Sequence, residues 1–180
     1  PAPVRLPRKG VREYSKNMLG YAGQFRGGKH TQWEGGVRVP FIIRWPGHVK
    51  ADRVDTKNVG SFIDWLPTIC SIAGVKQLPA ELDGEDISAA WLGETRQRQK
   101  ALYWKTSATG SSPAMRVGKW KFHMPRNNRD NIQLYNLVDD PSESQNVAKD
   151  HPEVVSHLKR QLRQWVGELP TEYKKLKQRN

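Results

Sequence analysis

The residues with the clearest chemical potential lie in one glycine-rich segment, RGGKHTQWEGGVRVP, at positions 26–40. Four glycines stand there among side chains that include Lys29, His30, Glu34 and Arg38. Glycine lets a backbone approach a ligand closely or take positive φ, and a lysine ammonium is a compact cation that suits an oxyanion. The segment predicts an anion-binding loop, although a tight structural turn would need the same glycines. Glu34 and Arg38 stand four residues apart, so an ion pair between them could brace the loop.

Other patterns in the sequence carry weaker chemical signals. The histidines show no metal-ligand spacing, and there is no HExxH, GxSxG, P-loop or GxGxxG motif. Cys70 is the only cysteine, which excludes an internal disulfide, and its place on an apolar helical stripe favours a core residue over a nucleophile. Aromatic and basic residues alternate in KWKFH (119–123), as on surfaces that bind single-stranded nucleic acid. A hairpin strand with its aromatic side chains buried and its lysines in water explains that pattern better.

Charge points to an anionic partner. The formal net charge is +12, and residues 1–29 alone hold seven basic residues against one acidic residue. Such an excess favours nucleic acid, a phosphorylated or sulfated substrate, or an acidic surface as partner, but at chain ends it is also typical of a solvated tail. No apolar run approaches the roughly 18 to 20 residues that cross a bilayer, so the sequence predicts no membrane span.

The first half of the chain should position the glycine-rich loop with a strand and two helices. Residues 39–47, VPFIIRWPG, predict a short strand buried on both faces, as in a parallel sheet. Helical spacing of apolar residues predicts a helix that Asp64 opens and Gly74 ends, and a shorter one from Asp86 to Gly93. The charged run at 94–100 is a plausible boundary.

The second half should form a small sheet that carries one helix. Strands are predicted at 101–105, on both sides of a turn at Gly118, and at 132–137. Asp150 and Glu153 form a sequence pattern for a capping box, and the apolar stripe that follows predicts a long helix. The pattern indicates an antiparallel sheet with a helix on one face.

Taken in order, several segments resemble the C-terminal part of the type I sulfatases, the arylsulfatase family within the alkaline-phosphatase-like superfamily. The matching segments are GGKHTQWEGGVRVPFIIRWPG, SFIDWLPTICSIAG, LDGEDI, RVGKWK and LYNLVDDPSESQNVA. The resemblance implies an α/β fold. In it, residues 1–98 are the C-terminal portion of an alkaline-phosphatase-like α/β sandwich, and residues 99–180 form a small antiparallel sheet with a C-terminal helix.

The resemblance also implies an activity, the hydrolysis of sulfate esters by a formylglycine nucleophile beside a Ca²⁺ ion. In the family those residues come earlier in the sequence, and the surroundings of Cys70, PTICSIAG, do not match the nucleophile motif. This chain looks like a sulfatase cut just after its metal site, so we expect no metal ligand here and no activity from the isolated chain. Lys29 matches the family lysine that contacts the substrate sulfate. His30 beside it would line the leaving-group side of the pocket, unless it is a surface histidine.

The composition and the resemblance also predict a partner and a location. The basic composition favours a sulfated carbohydrate as the substrate of the parent enzyme, and the family resemblance favours an exported location, periplasmic, secreted or lysosomal. The alternative function is a non-catalytic basic module that binds polyanions, either sulfated glycans or, with less support, nucleic acid. In either case the buried strand at 39–47, without neighbours, would leave open edges through which the chain could self-associate.

Overall fold

The computed structural model describes residues 21–79, 81–105, 112–125 and 131–170. These residues pack into two units. The first contains the described residues up to Val39, those within Tyr103–Met115, and those from Lys121 onward, whereas the second contains the remainder. The domain division at residues 98 and 99 concerns the parent enzyme and stays a prediction.

Within the described ranges, a four-stranded sheet and four α-helices account for most of the regular structure. The strands follow one another in the order β1, β2, β3, β4, and they are Leu102–Trp104, Ala114–Val117, Trp120–His123 and Gln133–Asn136. The helices α1 to α4 are Glu34–Val37, Trp65–Ile72, Ser88–Leu92 and Pro152–Glu168. The predicted small sheet followed by one long helix is therefore confirmed. No helix of the described residues is both long and apolar enough to cross a membrane.

The core of the first unit lies between the sheet and α4. Phe122, Met115 and Leu134 from the strands are fully buried, as is Leu162 from the helix. At the edge of this core the Trp165 ring stacks on Tyr103 of β1, with ring centroids 4.8 Å apart. Burial of this apolar surface is the main force that holds the helix on the sheet.

Strand β3 differs from its prediction, because both of its faces are buried. Phe122 points into the core as expected, but Lys121 is also fully buried, and His123 is nearly so. The expectation that the lysines of this strand lie in water is wrong for Lys121, although Lys119 at the turn is exposed. A buried ammonium is tolerated only when it is paired, and Lys121 finds such a partner in Glu34.

The start of α4 also differs in detail. Pro152 lies in its first turn, as predicted, but the N-cap residue is His151, without a side-chain cap. The predicted capping box of Asp150 and Glu153 is wrong because the helix begins one residue later, which places Glu153 too early in the turn. The backbone N–H of Asp150 instead donates to the carbonyl of Val147, at 3.1 Å.

Residues 39–47, nearly all of which belong to the second unit, do not form the predicted strand. Ile42 is 89% exposed and Phe41 is 45% exposed, while Ile43 packs against a small apolar cluster around Trp91. Strand structure requires a neighbouring strand, and Pro40 and Pro46 within this segment each lack the N–H that a ladder would use. The expectation of a strand buried on both faces is therefore wrong for this structure.

The first helix of the second unit is organised by Asp64. This residue ends a 3₁₀ turn, Phe62–Asp64, and its buried carboxylate accepts the N–H groups of Ser61 at 2.7 Å and Glu85 at 3.0 Å. The guanidinium of Arg98 donates to both carboxylate oxygens, at 2.5 and 3.0 Å. Asp64 thus ties the start of α2 to two later segments of the same unit.

Both helices of this unit end where the sequence indicates. Gly74 follows α2 with φ +71°, and Gly93 follows α3 with φ +113°. The N-cap of α3 is Ile87, one residue after the predicted Asp86, yet the Asp86 carboxylate accepts the N–H of Ser88 at 2.8 Å. Asp86 therefore still binds an N–H of the first turn, which is the physical role that a cap performs.

Candidate active-site loop

Two glycines give the glycine-rich segment its backbone path. Gly27 has φ +78°, and a Cβ there would lie 2.5 Å from the Thr31 hydroxyl. A Cβ on Gly36 would lie 2.3 Å from the carbonyl oxygen of Thr31, so no larger side chain fits. The two ends of the loop meet where the N–H of Gly35 donates to the carbonyl of Arg26, at 2.8 Å. We call this meeting point the loop neck.

The two residues predicted to meet the substrate lie inside this closed loop. Lys29 and His30 are both exposed, and His30 has φ +73° in the left-handed region. Within the described residues no hydrogen bond or ion pair engages the Lys29 ammonium. The turn is held instead by Thr31, whose hydroxyl donates to the carbonyl of Gly28 at 2.8 Å. The loop backbone is therefore fixed by hydrogen bonds, while the Lys29 ammonium is available to a ligand.

Glu34, the first residue of α1, connects the loop to the sheet. Its Oε1 lies 2.9 Å from the ammonium of Lys121 on β3, and both side chains are almost fully buried. The predicted pair with Arg38 is present but loose, with Arg38 Nε 4.0 Å from Glu34 Oε2 and the arginine side chain 47% exposed. The Lys121 ammonium also lies 4.1 Å from the centre of the Trp104 ring. Lys121, which the sequence did not indicate, is thus a stronger partner of Glu34 than Arg38 is.

A second carboxylate, that of Glu143, binds the loop from the segment after β4. It is fully buried, and its backbone has φ +54°. Its Oε2 accepts the N–H of Glu34 at 2.6 Å, and its Oε1 lies 3.0 Å from Nε2 of His123. Its own carbonyl accepts a hydrogen bond from Arg26 Nη1, at 3.0 Å. One residue therefore contacts both sides of the loop neck as well as β3.

Aromatic rings cover this group of charges. The guanidinium of Arg26 lies 3.8 Å from the centre of the Trp33 ring, and Trp33 packs on His123 with ring centroids 4.0 Å apart. Arg26 Nη1 also donates to the hydroxyl of Tyr135, at 3.0 Å. Burial lowers the pKa of His123 below its usual 6.5, and the nearby charges of Lys121 and Arg26 act in the same direction, against the hydrogen bond to Glu143.

These residues form what we call the anchor cluster, defined as Arg26, Glu34, Lys121, His123 and Glu143. With its pKa lowered, His123 is neutral at pH 7 and donates its Nε2–H to a carboxylate oxygen. The ammonium of Lys121 pairs with the carboxylate of Glu34, and the carboxylate of Glu143 accepts the N–H groups of His123 and Glu34. These partners are what permit Glu34, Lys121 and Glu143 to be buried, whereas Arg26 is exposed.

The sequence does not indicate this cluster, because its members are far apart in the chain. Lys121 is 87 positions from Glu34, and Glu143 is 109 positions from it. No local spacing rule connects residues at such distances. The one local signal is the position of Lys121 between two aromatic residues of a strand, a pattern that predicts a side chain in water.

The described residues do not fit a calcium ion. Among them, no three His, Cys, Asp or Glu side chains are grouped so that they could hold a metal. Cys70 is a free, half-buried thiol on α2. The loop therefore exposes the side chains of Lys29 and His30, whose roles at a substrate stay a prediction. The Ca²⁺ that the family resemblance implies also stays a prediction, for residues outside this chain.

Comparison of the sequence with known proteins gives matches over most of its length. A sequence model of the family described as N-sulphoglucosamine sulphohydrolase, C-terminal, matches residues 23–168. N-acetylgalactosamine-6-O-sulfatase of Bacteroides thetaiotaomicron is 33% identical over 152 residues, which cover 76% of this chain and 29% of that protein. Arylsulfatase A of Homo sapiens is 33% identical over 167 residues, which cover 78% of this chain and 32% of that protein.

Comparison of the fold with solved structures also gives matches over most of the chain. The crystal structure of Ps i-CgsB in complex with k-i-k-neocarrahexaose aligns with a TM-score of 0.67 and 30% sequence identity, and the alignment covers 78% of this chain and 31% of that one. This likeness confirms the predicted α/β fold with its small sheet and C-terminal helix. In each of the three comparisons the chain spans between 29% and 32% of the relative's length.

Proposed function

The chain belongs to the sulfatase family, and we propose that it supplies the sulfate-contacting lysine and the C-terminal sheet of an enzyme that hydrolyses sulfate esters. The observation that carries this proposal is the exposed Lys29 on a loop whose backbone is bound at its neck. Because the relatives are about three times longer, the complete activity is proposed for a polypeptide that contains this chain. We expect the isolated chain to be inactive.

Lys29 would act as an electrostatic group. Negative charge develops on the sulfuryl oxygens and the leaving oxygen as the ester bond breaks, and a fixed ammonium beside them stabilises that charge more than it stabilises the substrate. His30 would line the leaving-group side of the same pocket. Its exposed position next to Lys29 supports this role.

The formylglycine nucleophile and the Ca²⁺ ion of the parent enzyme belong to this proposal only through family membership. When bound, such an ion would hold and polarise the sulfate group. The described residues offer no grouped ligands for it, and Cys70 lies on an apolar helix. The contribution of this chain is therefore limited to charge, positioning and pocket lining.

The second unit supports the proposal that a larger domain surrounds this chain. Its α2 region exposes a set of large apolar side chains, namely Phe62, Ile63, Trp65, Leu66, Ile69 and Ile72. A contiguous apolar face of this kind is covered by protein in stable enzymes. Self-association of the isolated chain also stays a prediction, and this face would mediate it instead of an open strand edge at residues 39–47.

A sulfated carbohydrate is the substrate class that we propose. One relative is an N-acetylgalactosamine-6-O-sulfatase, and the matched family is described by an N-sulphoglucosamine sulphohydrolase. The net charge of +12 suits a polyanionic substrate. An exported location is proposed on the same family grounds.

The test uses the full gene product, purified from its natural source, with an aryl sulfate and a sulfated amino sugar as substrates. Lys29→Ala should lower kcat/KM by about 100- to 1000-fold, the effect of removing one group that stabilises transition-state charge. Lys50→Ala, which removes an exposed lysine outside the loop, is the matched control and should change little. Unchanged turnover in Lys29→Ala, or turnover by the 180-residue chain alone, would contradict the proposal.

The net charge of +12 favours one second candidate, a basic module that binds polyanions without chemistry. In that case the isolated chain would bind a sulfated glycan with a steep salt dependence, because many released counterions contribute. Lys29→Ala would then weaken binding no more than Lys50→Ala does. A large, specific effect of Lys29 on turnover favours the enzyme.

A further inference from the structure

The Lys29 loop is held at both of its ends by one residue outside it. On the N-terminal side, Arg26 donates to the carbonyl of Glu143 at 3.0 Å. On the C-terminal side, the N–H of Glu34 donates to the carboxylate of Glu143 at 2.6 Å. The hydrogen bond from Gly35 to Arg26 closes the ring between these two points. The position of the loop neck is therefore set by Glu143.

Glu143 is itself held in an unfavourable conformation. It is not a glycine, yet its φ of +54° lies in the left-handed region, and its side chain is fully buried. Such a conformation persists only where the surrounding contacts over-determine it. Two further contacts fix it here. His123 binds the second carboxylate oxygen of Glu143, and the carbonyl of Asp140 accepts the Glu143 N–H at 3.2 Å.

The segment around Glu143 is braced by Asp140. Its carboxylate accepts the N–H groups of Ser144 and Gln145, each at 2.8 Å. Burial raises the pKa of Asp140, but these hydrogen bonds outweigh it and lower the pKa below 3.8. Asp140 is therefore ionised at neutral pH and fixes the turn from which Glu143 reaches the loop.

On the basis of the proposed sulfatase function, we propose that Glu143 is a positioning residue for Lys29. Among the described residues it forms no hydrogen bond or ion pair with the lysine, and it acts by fixing both ends of the loop that presents the ammonium. Removing it should let the loop move by an ångström or more. A displacement of that size at a reacting centre costs about 100-fold in rate.

The first measurement is hydrogen exchange of the loop in the full gene product, by mass spectrometry of peptides that cover residues 26–37. Glu143→Ala removes the acceptor for the Glu34 N–H and should speed exchange of that amide at least tenfold. Glu143→Gln keeps an oxygen for this N–H, and its NH₂ can donate to His123 in the other tautomer, so exchange should stay close to wild type. Glu153→Ala on the exposed side of α4 is the control.

The second measurement is a double-mutant cycle on turnover of an aryl sulfate. Glu143→Ala should lower kcat about 100-fold with a smaller change in KM, whereas Glu143→Gln should lose less than tenfold. If Glu143 acts through Lys29, adding Glu143→Ala to Lys29→Ala should cause little further loss. A residue that only stabilises the fold would add its full effect in the double variant.

The outcomes separate the two proposals. Full additivity in the cycle, or unchanged loop exchange in Glu143→Ala, would overturn the positioning role. A wild-type gene product without turnover would contradict the sulfatase function, and the exchange experiment would still decide whether Glu143 holds the loop. If Glu143→Ala does not fold, Glu143→Asp replaces it, since its shorter side chain keeps the charge but cannot reach both donors.

Discussion

Each of the two packing units buries a carboxylate against a basic side chain, but the two arrangements organise different things. In the second unit, Asp64 binds Arg98 and two backbone N–H groups from residues at most 34 positions away. In the first unit, Glu34 and Glu143 bind partners that are up to 117 positions away. The short-range pair fixes a turn and the start of a helix. The long-range pairs fix a loop that presents a cation.

The units also differ in how well they bury apolar surface. The first has fully buried Phe122, Leu134 and Leu162 between its sheet and its helix. The second exposes 53% of Leu66 and 46% of Ile69 on α2. The first unit thus has an apolar core of its own. The second presents a surface that suits contact with more protein.

The largest effect is expected from breaking the buried ion pair of the first unit, between Lys121 and Glu34. Lys121→Met leaves the carboxylate of Glu34 buried without its ammonium, which should lower the free energy of unfolding by about 3–5 kcal/mol. Lys119→Met, at an exposed position two residues earlier, should change it by less than about 0.5 kcal/mol. Urea unfolding followed by near-ultraviolet circular dichroism measures both.

The double variant Lys121→Met/Glu34→Leu sharpens this result. It removes both charges, so it should recover much of the stability lost in Lys121→Met. Equal stability of the single and double variants would contradict the idea that an uncompensated charge causes the loss. The loop would still lose its link to β3, and sulfate-ester turnover should remain low in both variants.

The next effect compares the two apolar surfaces. Leu162→Ala creates a cavity in the buried core of the first unit and should lower the free energy of unfolding by about 2–5 kcal/mol. Ile69→Ala in the isolated chain removes a half-exposed side chain and should cost less than about 1 kcal/mol. Urea midpoints give the comparison. Equal losses would show that the second unit is as well covered as the first.

A smaller effect concerns pH and His123. Its pKa is lowered in the folded protein, chiefly by burial, so below pH 6.5 the unfolded chain binds a proton that the native chain does not. Stability from this group is therefore complete above pH 6.5 and is lost as the pH falls toward the folded-state pKa. His123→Gln, which can still donate to Glu143, should show a shallower loss between pH 6.5 and 5 than wild type. His48→Gln, at an exposed position, should retain the wild-type slope.

Local patterns predicted the elements that depend on local physics. The apolar stripe of α4, the strands around Gly118 and the helix ends at Gly74 and Gly93 all follow from spacing and from turn residues. The prediction of a strand at residues 39–47 was wrong because a strand exists only where a neighbouring strand pairs with it. The composition of that segment describes burial, but it does not supply the partner.

The candidate site divides in the same way. The glycine-rich turn that carries Lys29 and His30 was predictable, because its glycines are a local signal, while the role of these two residues at a substrate stays a prediction. Lys121 and Glu143 were not, since the groups that bind their side chains come from distant segments. A buried charge has no sequence signature of its own until the fold brings its partner to it.

The smallest effect tests the pair that the sequence did predict. Arg38 Nε lies 4.0 Å from Glu34 Oε2 with its side chain 47% exposed, and its guanidinium also lies 4.4 Å from the centre of the Phe25 ring. Exposed pairs of this kind contribute about 0–1 kcal/mol, so Arg38→Ala should lower the free energy of unfolding by no more than that. High salt should erase most of the difference in urea midpoint between Arg38→Ala and wild type. A loss as large as that of Lys121→Met would mean that Glu34 is anchored from its own helix, and that the sheet is not what holds the Lys29 loop.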